Sequence, residues 1–315
     1  MSQILERSGK LKKLILWITW IAVLAGLGLY LSSHSGQLRR MLDLSWWNTG
    51  ALSLLFVITQ VLNGINIKLV MRAGGLELGV WECFHLANIT TAANYLPFRG
   101  GMVARAVYFR KKYGLSYLDF TDLSMAGVLV LMFTIFSSGA FFILLELVIS
   151  GRFFPSLFLI FVMLSVLIVI AGILLVFFSK YVRWEKAAKV GKGLRALLRK
   201  RALLCKLMFV DLIMVFSIGM RFFVSFRALS VDASPLLSLL CGQAKTAAAL
   251  LGLIPAGLGI SELSAGAVSE VLKAGLEAGV FAGSLDRIVS ICTLLVISSY
   301  SFIFLLRIKK AGNDE

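Results

Sequence analysis

Thr91-Ala-Ala-Asn-Tyr-Leu-Pro-Phe-Arg-Gly-Gly101 and Thr246-Ala-Ala-Ala-Leu-Leu-Gly-Leu-Ile-Pro-Ala-Gly-Leu-Gly259 decide the fold. Each is a short apolar run that ends in a proline–glycine break and then meets charge. Neither run is long enough to cross a bilayer, which takes about 20 apolar residues. Proline removes a backbone donor and breaks a helix, and glycine permits a tight reversal. Such backbone is tolerated at membrane depth only where protein buries it or a wet cavity solvates it. Paired interruptions in corresponding halves of a membrane protein point to a transport site. Pro97, Gly100 and Gly101 are the expected break of the first element; Pro255, Gly257 and Gly259 are that of the second. The competing reading is that Pro97 and Pro255 kink ordinary transmembrane helices.

The surrounding chain is of membrane type. It is 59% hydrophobic and only 15% charged over 315 residues, with a mean hydropathy of +0.91, so it cannot cover a soluble surface. Six stretches are long enough to span: 14–31, 50–70, 123–149, 156–178, 207–229 and 287–306. The basic start before residue 14 resembles a signal peptide, but the length of the first run and the lack of a cleavage site favour an uncleaved helix. A net charge of +16 would suggest nucleic acid in a soluble protein, whereas here the basic residues gather in loops. With both termini cytoplasmic, 24 of the 32 Lys and Arg fall in inner segments and 5 in outer ones. That bias fits the positive-inside rule for a plasma membrane protein of a prokaryotic cytoplasmic membrane. It also requires that 82–118 and 236–283 do not cross, since one extra crossing would turn the basic 179–206 segment outward.

The fold expected is therefore all-α and polytopic: six spanning helices plus two oppositely oriented re-entrant helical hairpins forming an inverted repeat. Residues 1–49 supply an N-terminal cytoplasmic segment, the first span and an outer loop. Residues 50–149 form repeat 1 and 207–306 repeat 2, each read as span, broken hairpin, span. Between them, 150–206 hold the fourth span and a basic amphipathic linker, read as lying on the anionic leaflet; 307–315 are a cytoplasmic tail. Gly114 with Asp119, and Gly279 with Asp286, are read as matching punctuation before the closing span of each repeat.

Arg99 and Arg105 flank the first break and are read either as cavity residues or as topology anchors; Arg110, Lys111 and Lys112 are anchors. Arg221 sits near the middle of its span, where a charge costs about 2.5–3.5 kcal/mol on the insertion scale and requires a partner. Glu262, Glu146 and Asp211 are the candidates. Lys245 and Gln243 lie on the second element and Glu262 follows its tip, so a cation and a carboxylate approach one cavity. Gln60, Asn63 and Asn66 place amides on the second span, for a site or for contacts between helices. Four separated cysteines and two histidines form no metal or disulfide pattern, and no motif for glycosyl, acyl or phosphoryl transfer occurs. No cofactor, metal or catalytic residue is expected, and the chain is not read as an enzyme.

Asn94-Tyr-Leu-Pro-Phe-Arg-Gly-Gly-Met-Val-Ala-Arg105 with Gly114-Leu-Ser, and Pro255-Ala-Gly-Leu-Gly-Ile-Ser-Glu262 with Asp286-Arg287, resemble the two motifs of the lysylphosphatidylglycerol synthase transmembrane (flippase-like) family. The resemblance covers about residues 10–310. It implies a membrane domain that moves a lipid between leaflets, with Pro97, Arg99, Gly101, Arg105, Pro255, Gly257, Gly259, Glu262 and Arg287 carried over by motif position. Met102 stands where the family often has an acid, and Leu123-Ser-Met replaces a Glu-Arg pair. Only 307–315 follow the last expected span, so the soluble aminoacyltransferase activity is not expected. Arg99, Arg105, Arg221, Lys245, Glu262 and Arg287 are thus the expected substrate-binding residues of a lipid translocase. The partners expected are membrane lipids with anionic or zwitterionic headgroups, with a homo-oligomer or an envelope-enzyme partner compatible and nucleic acid not. The alternative is a non-transporting membrane scaffold or accessory subunit for a lipid- or envelope-modifying enzyme.

Overall fold

Local sequence sets the helix ends. Ser116 caps a long helix by accepting the Asp119 N–H at 3.1 Å; Gly151, left-handed at φ 69°, stops it; and Pro155 opens the next at a first-turn position where proline is tolerated. The computed structural model describes residues 45–95, 100–181, 191–251 and 257–311. The expected first span 14–31, Pro97, Arg99 and Pro255 lie outside the described residues. In chain order the helices are α1 (Trp46–Ala73), α2 (Val80–Ala93), α3 (Gly100–Tyr113), α4 (Tyr117–Ser150), α5 (Pro155–Tyr181), α6 (Lys192–Arg199), α7 (Arg201–Ala228), α8 (Pro235–Leu251), α9 (Ile260–Val271) and α10 (Leu276–Ala311).

Five of these, α1, α4, α5, α7 and α10, are long and apolar enough to cross a membrane. The protein is an all-helical, multi-pass membrane protein. The closing helix differs from its expected limits: it begins at Leu276 rather than 287. Gly279 and Asp286 therefore lie inside it, whereas Gly114 sits in a left-handed turn at φ 67° before α4. The two punctuation pairs are not structural equivalents. Asp286, expected just before the span, is a buried residue of the helix paired with Arg221 and Lys245.

Helices α1 and α7 form the centre and run antiparallel. Asn66 donates to Asp211 at 2.6 Å, Thr59 meets Ser217 at 3.0 Å, and Lys200, just before α7, donates to the carbonyls of Arg72 and Ala73 at the end of α1. Packing around this pair is reciprocal. Helix α2 packs on α1 and on α10; α8 packs on α7 and on α4. His85 of α2 hydrogen-bonds Ser301 of α10 at 3.0 Å, and Gln243 of α8 donates to Ser138 of α4 at 3.0 Å. Among the described residues two large cores result, one around Phe222, Leu240 and Phe281, the other around Phe109, Phe120 and Leu207, with a small cluster of Ile135, Val215 and Ala247 beside them.

The linker helix α6 is tied down by backbone. Asp122 of α4 accepts the N–H groups of Gly191 and Gly193 at 2.6 and 2.5 Å, the anion at a helix N-terminus that the exposed peptide dipoles favour. Its Leu194 and Leu197 are buried in the second core, while Lys192 and Arg199 stay exposed. In α6 Leu194 and Leu197 are thus covered by the bundle, while Leu198 is exposed beside the basic residues. Trp184 and Val190 lie outside the described residues.

Candidate functional site

Buried charge concentrates where α7, α8, α9 and α10 converge. From α7, Arg221 is 7% exposed. Its Nε donates to Asp286 Oδ1 at 2.7 Å and its Nη2 to Ser290 Oγ at 2.5 Å. Asp286 and Ser290 are one turn apart on α10 and so share a face. The guanidinium also lies 5.1 Å from the Phe56 ring centre, a cation–π contact that replaces part of its lost hydration. The partner of Arg221 is thus Asp286, not any of the three acids expected. Glu262 is engaged elsewhere, Asp211 meets Asn66, and Glu146 accepts from Ser150.

Asp286 holds a second cation. Lys245 of α8 donates to its Oδ2 at 2.7 Å and to the Gly283 carbonyl at 2.9 Å. The neighbouring residue of α10 reverses the sign: Arg287 Nε donates to Glu262 Oε1 at 2.6 Å. The other oxygen of Glu262 accepts the Gly259 N–H at 2.9 Å, capping α9. An acid–base dipeptide on one helix, turned by about 100° between residues, therefore binds α7 and α8 through Asp286 and α9 through Arg287. Three cations face two carboxylates, so the cluster is net positive by one charge.

Tyr95, Arg221, Lys245, Thr246, Asp286 and Arg287 line a cavity of about 190 Å³, with Phe56 on its apolar wall. At about 30 Å³ per water this holds roughly six waters or one phosphate-sized group. Tyr95 is the last described residue before the first break. Gly257 and Gly259, at φ 64° and 77°, carry the chain from the second break into α9. Tyr95, ahead of the first break, and Ser261, early in α9, both line the cavity.

Of the expected site residues, Arg221, Lys245, Glu262 and Arg287 come together. Arg105 does not: its Nη2 donates to Thr90 Oγ1 at 2.8 Å in the α2–α3 contact. Arg99 lies outside the described residues. Gly100 and Gly101 are not turn residues; they are the first residues of α3. Gly101 serves close approach, because a Cβ there would overlap the Thr90 carbonyl oxygen and lie 2.5 Å from Asn94 Oδ1. Sequence reasoning missed Asp286 as the central carboxylate, and Tyr95 and Phe56 as lining. Asp286 was marked by the motif, yet its assignment to a loop kept it from being matched to Arg221.

A second polar cluster ties α2 to α3. Glu82 accepts from Tyr108 and Tyr113, both at 2.7 Å, and pairs with Lys112 at 3.0 Å. Burial alone pushes the Glu82 carboxyl up, but these hydroxyls and the ammonium outweigh it and hold it below its ordinary value. Among the described residues no group of His, Cys, Asp and Glu has the arrangement of a metal site.

Comparison with known proteins places the chain in a family. The family model described as Lysylphosphatidylglycerol synthase TM region matches residues 14–298. No curated protein and no solved structure matches the chain.

Proposed function

Because the chain belongs to the lysylphosphatidylglycerol synthase TM family, we propose that it is a lipid translocase of a prokaryotic cytoplasmic membrane and not an enzyme. A phospholipid, glycolipid or polyprenyl-phosphate headgroup enters the charged cavity while its tails stay in the bilayer. The observation that carries this reading is the buried cluster Arg221–Asp286–Lys245 with Glu262–Arg287, net positive among the described residues and bordering a cavity lined from α1, Tyr95 and α7 to α10. Charge of this kind inside a membrane protein is expensive and marks a substrate path. A phosphodiester brings one negative charge, which balances the cluster.

Helix lengths support re-entrant hairpins. Helices α2, α3, α8 and α9 have 14, 14, 17 and 12 residues, about 18–26 Å at 1.5 Å per residue, against a hydrocarbon core of about 30 Å. The end of α1 and the start of α4 lie at the same end of the bundle, because Lys200 and Asp122 connect both to the α6 region. On this reading α2–α3 dips in and returns, and α8–α9 does so from the opposite end. The antiparallel α1–α7 pair and the reciprocal packing favour an inverted repeat, with one repeat rocking against the other to alternate access. Arg110 to Lys112, Lys192, Arg199 and Arg201 gather at the first end, which the positive-inside rule makes cytoplasmic.

The test is leaflet-resolved headgroup labelling in proteoliposomes carrying a panel of lipids. The wild type should accelerate exchange of at least one phosphate-bearing lipid. Losing one charge-assisted hydrogen bond to the phosphate, about 1.5–3 kcal/mol, should slow Lys245→Met by roughly 10- to 100-fold. Equal rates in the variant, in the wild type and in protein-free vesicles would refute the proposal.

A further inference from the structure

The buried acids of the spanning helices are not treated alike. Asp286 has two cations at 2.7 Å. Asp211 on α7, also fully buried, forms no ion pair among the described residues. Its Oδ1 accepts from the neutral Asn66 amide at 2.6 Å, and its Oδ2 is buried with no hydrogen-bond partner among the described residues. From the surrounding elements, Asp211 is faced by little else. Leu207 and Leu203 on α7 belong to the second apolar core with residues of α1, α4 and α6. Lys68 of α1 is two positions beyond Asn66, about 200° around that helix. Lys206 and Arg201 on α7 are exposed, and Asp122 of α4 is held by Gly191 and Gly193.

We propose that Asp211 is a proton-exchange site that couples the translocation cycle to the transmembrane proton gradient. An ionised carboxylate here would be a buried charge with no compensating cation among the described residues, which a structure avoids by neutralisation or by admitting water. A proton taken up on Oδ2 neutralises the charge in the closed arrangement. When α1 and α7 separate and water reaches the site, the same proton leaves to solvent; no other bond changes. Further polar side chains lie on α1 and α7 between this site and the Phe56–Arg221 level. Thr59 and Ser217 bridge the two helices at 3.0 Å, and Gln60, whose Nε2 is buried and without a partner among the described residues, accepts at Oε1 from Asn63 at 3.4 Å and from Thr91 at 3.5 Å. Ten residues of α7, about 15 Å, separate Asp211 from Arg221. The α1–α7 contact is also the axis about which reciprocal packing would rearrange, so its protonation can bias that motion. The coupling role rests on the translocase reading; the proton site itself does not.

Two measurements on the purified full chain keep the two separate. Infrared difference spectroscopy during a pH titration should show the carbonyl stretch of a protonated carboxylic acid that is absent in Asp211→Asn, a near-isosteric change that retains the Asn66 contact. No such band, or a band that persists in D211N, overturns the site; sodium-dependent thermal stabilisation lost in D211N would assign it to an alkali cation instead. In proteoliposomes, an imposed pH gradient should change wild-type headgroup exchange several-fold and leave D211N unresponsive. A wild type that exchanges headgroups but ignores the gradient overturns the coupling. A wild type that exchanges none refutes the translocase reading, and the infrared result still decides the site.

Discussion

Replacing Asp286 by Asn removes the carboxylate that two cations share. Each pair is separated by 2.7 Å with the acid side chain 2% exposed. At an effective dielectric constant of about 20, each contributes a gross Coulomb term of ~6 kcal/mol, most of it offset by the desolvation of three charged groups. What remains after the substitution is Arg221 with Ser290 and Lys245 with the Gly283 carbonyl, two cations without a counter-charge between them. Breaking a buried pair in this way costs about 3–5 kcal/mol. At ~2 °C per kcal/mol for a chain of this size, the expected fall in Tm is about 6–10 °C, read by thermal unfolding in detergent. Lys245→Met added to Asp286→Asn returns the cluster to its original net charge and should recover about half of the loss, since one uncompensated cation remains. If the cavity takes a headgroup phosphate, vesicles of an anionic phospholipid should restore more of the Tm of Asp286→Asn than zwitterionic ones, with the phosphate standing in for the missing carboxylate. A single variant as stable as the wild type, or a double variant no better than the single, would refute the argument that Asp286 compensates Arg221 and Lys245.

The other predictions concern the scaffold. Because Glu82 is held below its ordinary carboxylate value, its contribution is present above the unfolded value of about 4.5 and lost as pH falls through the lower folded value. Amide exchange across Gly100–Tyr113 should therefore accelerate below about pH 4.5 in the wild type, and in Glu82→Gln it should be faster at neutral pH with a weaker acid response; an identical acid response in both would count against this assignment. Gly101→Ala forces a Cβ against the Thr90 carbonyl and should cost about 1–3 kcal/mol by overpacking. Gly50→Ala has open space and should be neutral or slightly stabilising by helix propensity, by at most about 1 kcal/mol. Matching Tm values for the two variants would remove the close-approach argument.

How much was legible in the sequence follows from what each signal reports. Length and hydropathy report helices that must bury every backbone bond, so the spans at α1, α4, α5 and α7 agree with 50–70, 123–149, 156–178 and 207–229. Proline and glycine report where a helix cannot continue: α2 ends at Ala93 and α8 at Leu251, each ahead of a proline, although Pro97 and Pro255 themselves lie outside the described residues and Gly100 and Gly101 are helical. Charge is ambiguous, since a charged residue marks a loop or a buried partner. At 276–286 the loop reading was taken and the start of α10 was missed by eleven residues. Pairing across elements is a tertiary property: Arg221 and Asp286 are 65 positions apart, and nothing local distinguishes Asp286 from Asp211 or Glu262 as the partner. The role of Gly101 was likewise hidden, because a glycine required by an approaching carbonyl looks the same as one required by a turn.

The packing is close to symmetric and the chemistry is not. On the proposed inverted repeat the helices of the first half have counterparts in the second, yet among the described residues the buried cations and carboxylates of the cavity come from α7 to α10, while Phe56 and Tyr95 come from the first half. The reciprocal contacts, α2 against α10 and α8 against α4, are both made by neutral groups, His85 and Asn88 with Ser301 and Gln243 with Ser138. Two like-charged cavities facing each other would repel across a low-dielectric interior, and five ionised groups on each side would double the desolvation cost. Arg221–Asp286, Lys245–Asp286 and Arg287–Glu262 all lie within α7–α10, and Glu82–Lys112 lies within α2–α3. The contacts from α1 to α7 and α10 include hydroxyl pairs, Thr59 with Ser217 and Thr293 with Ser53, which exchange partners at about 1 kcal/mol each. On the proposed rocking of one repeat against the other, these hydroxyl contacts give way while the ion pairs inside each group of helices stay closed.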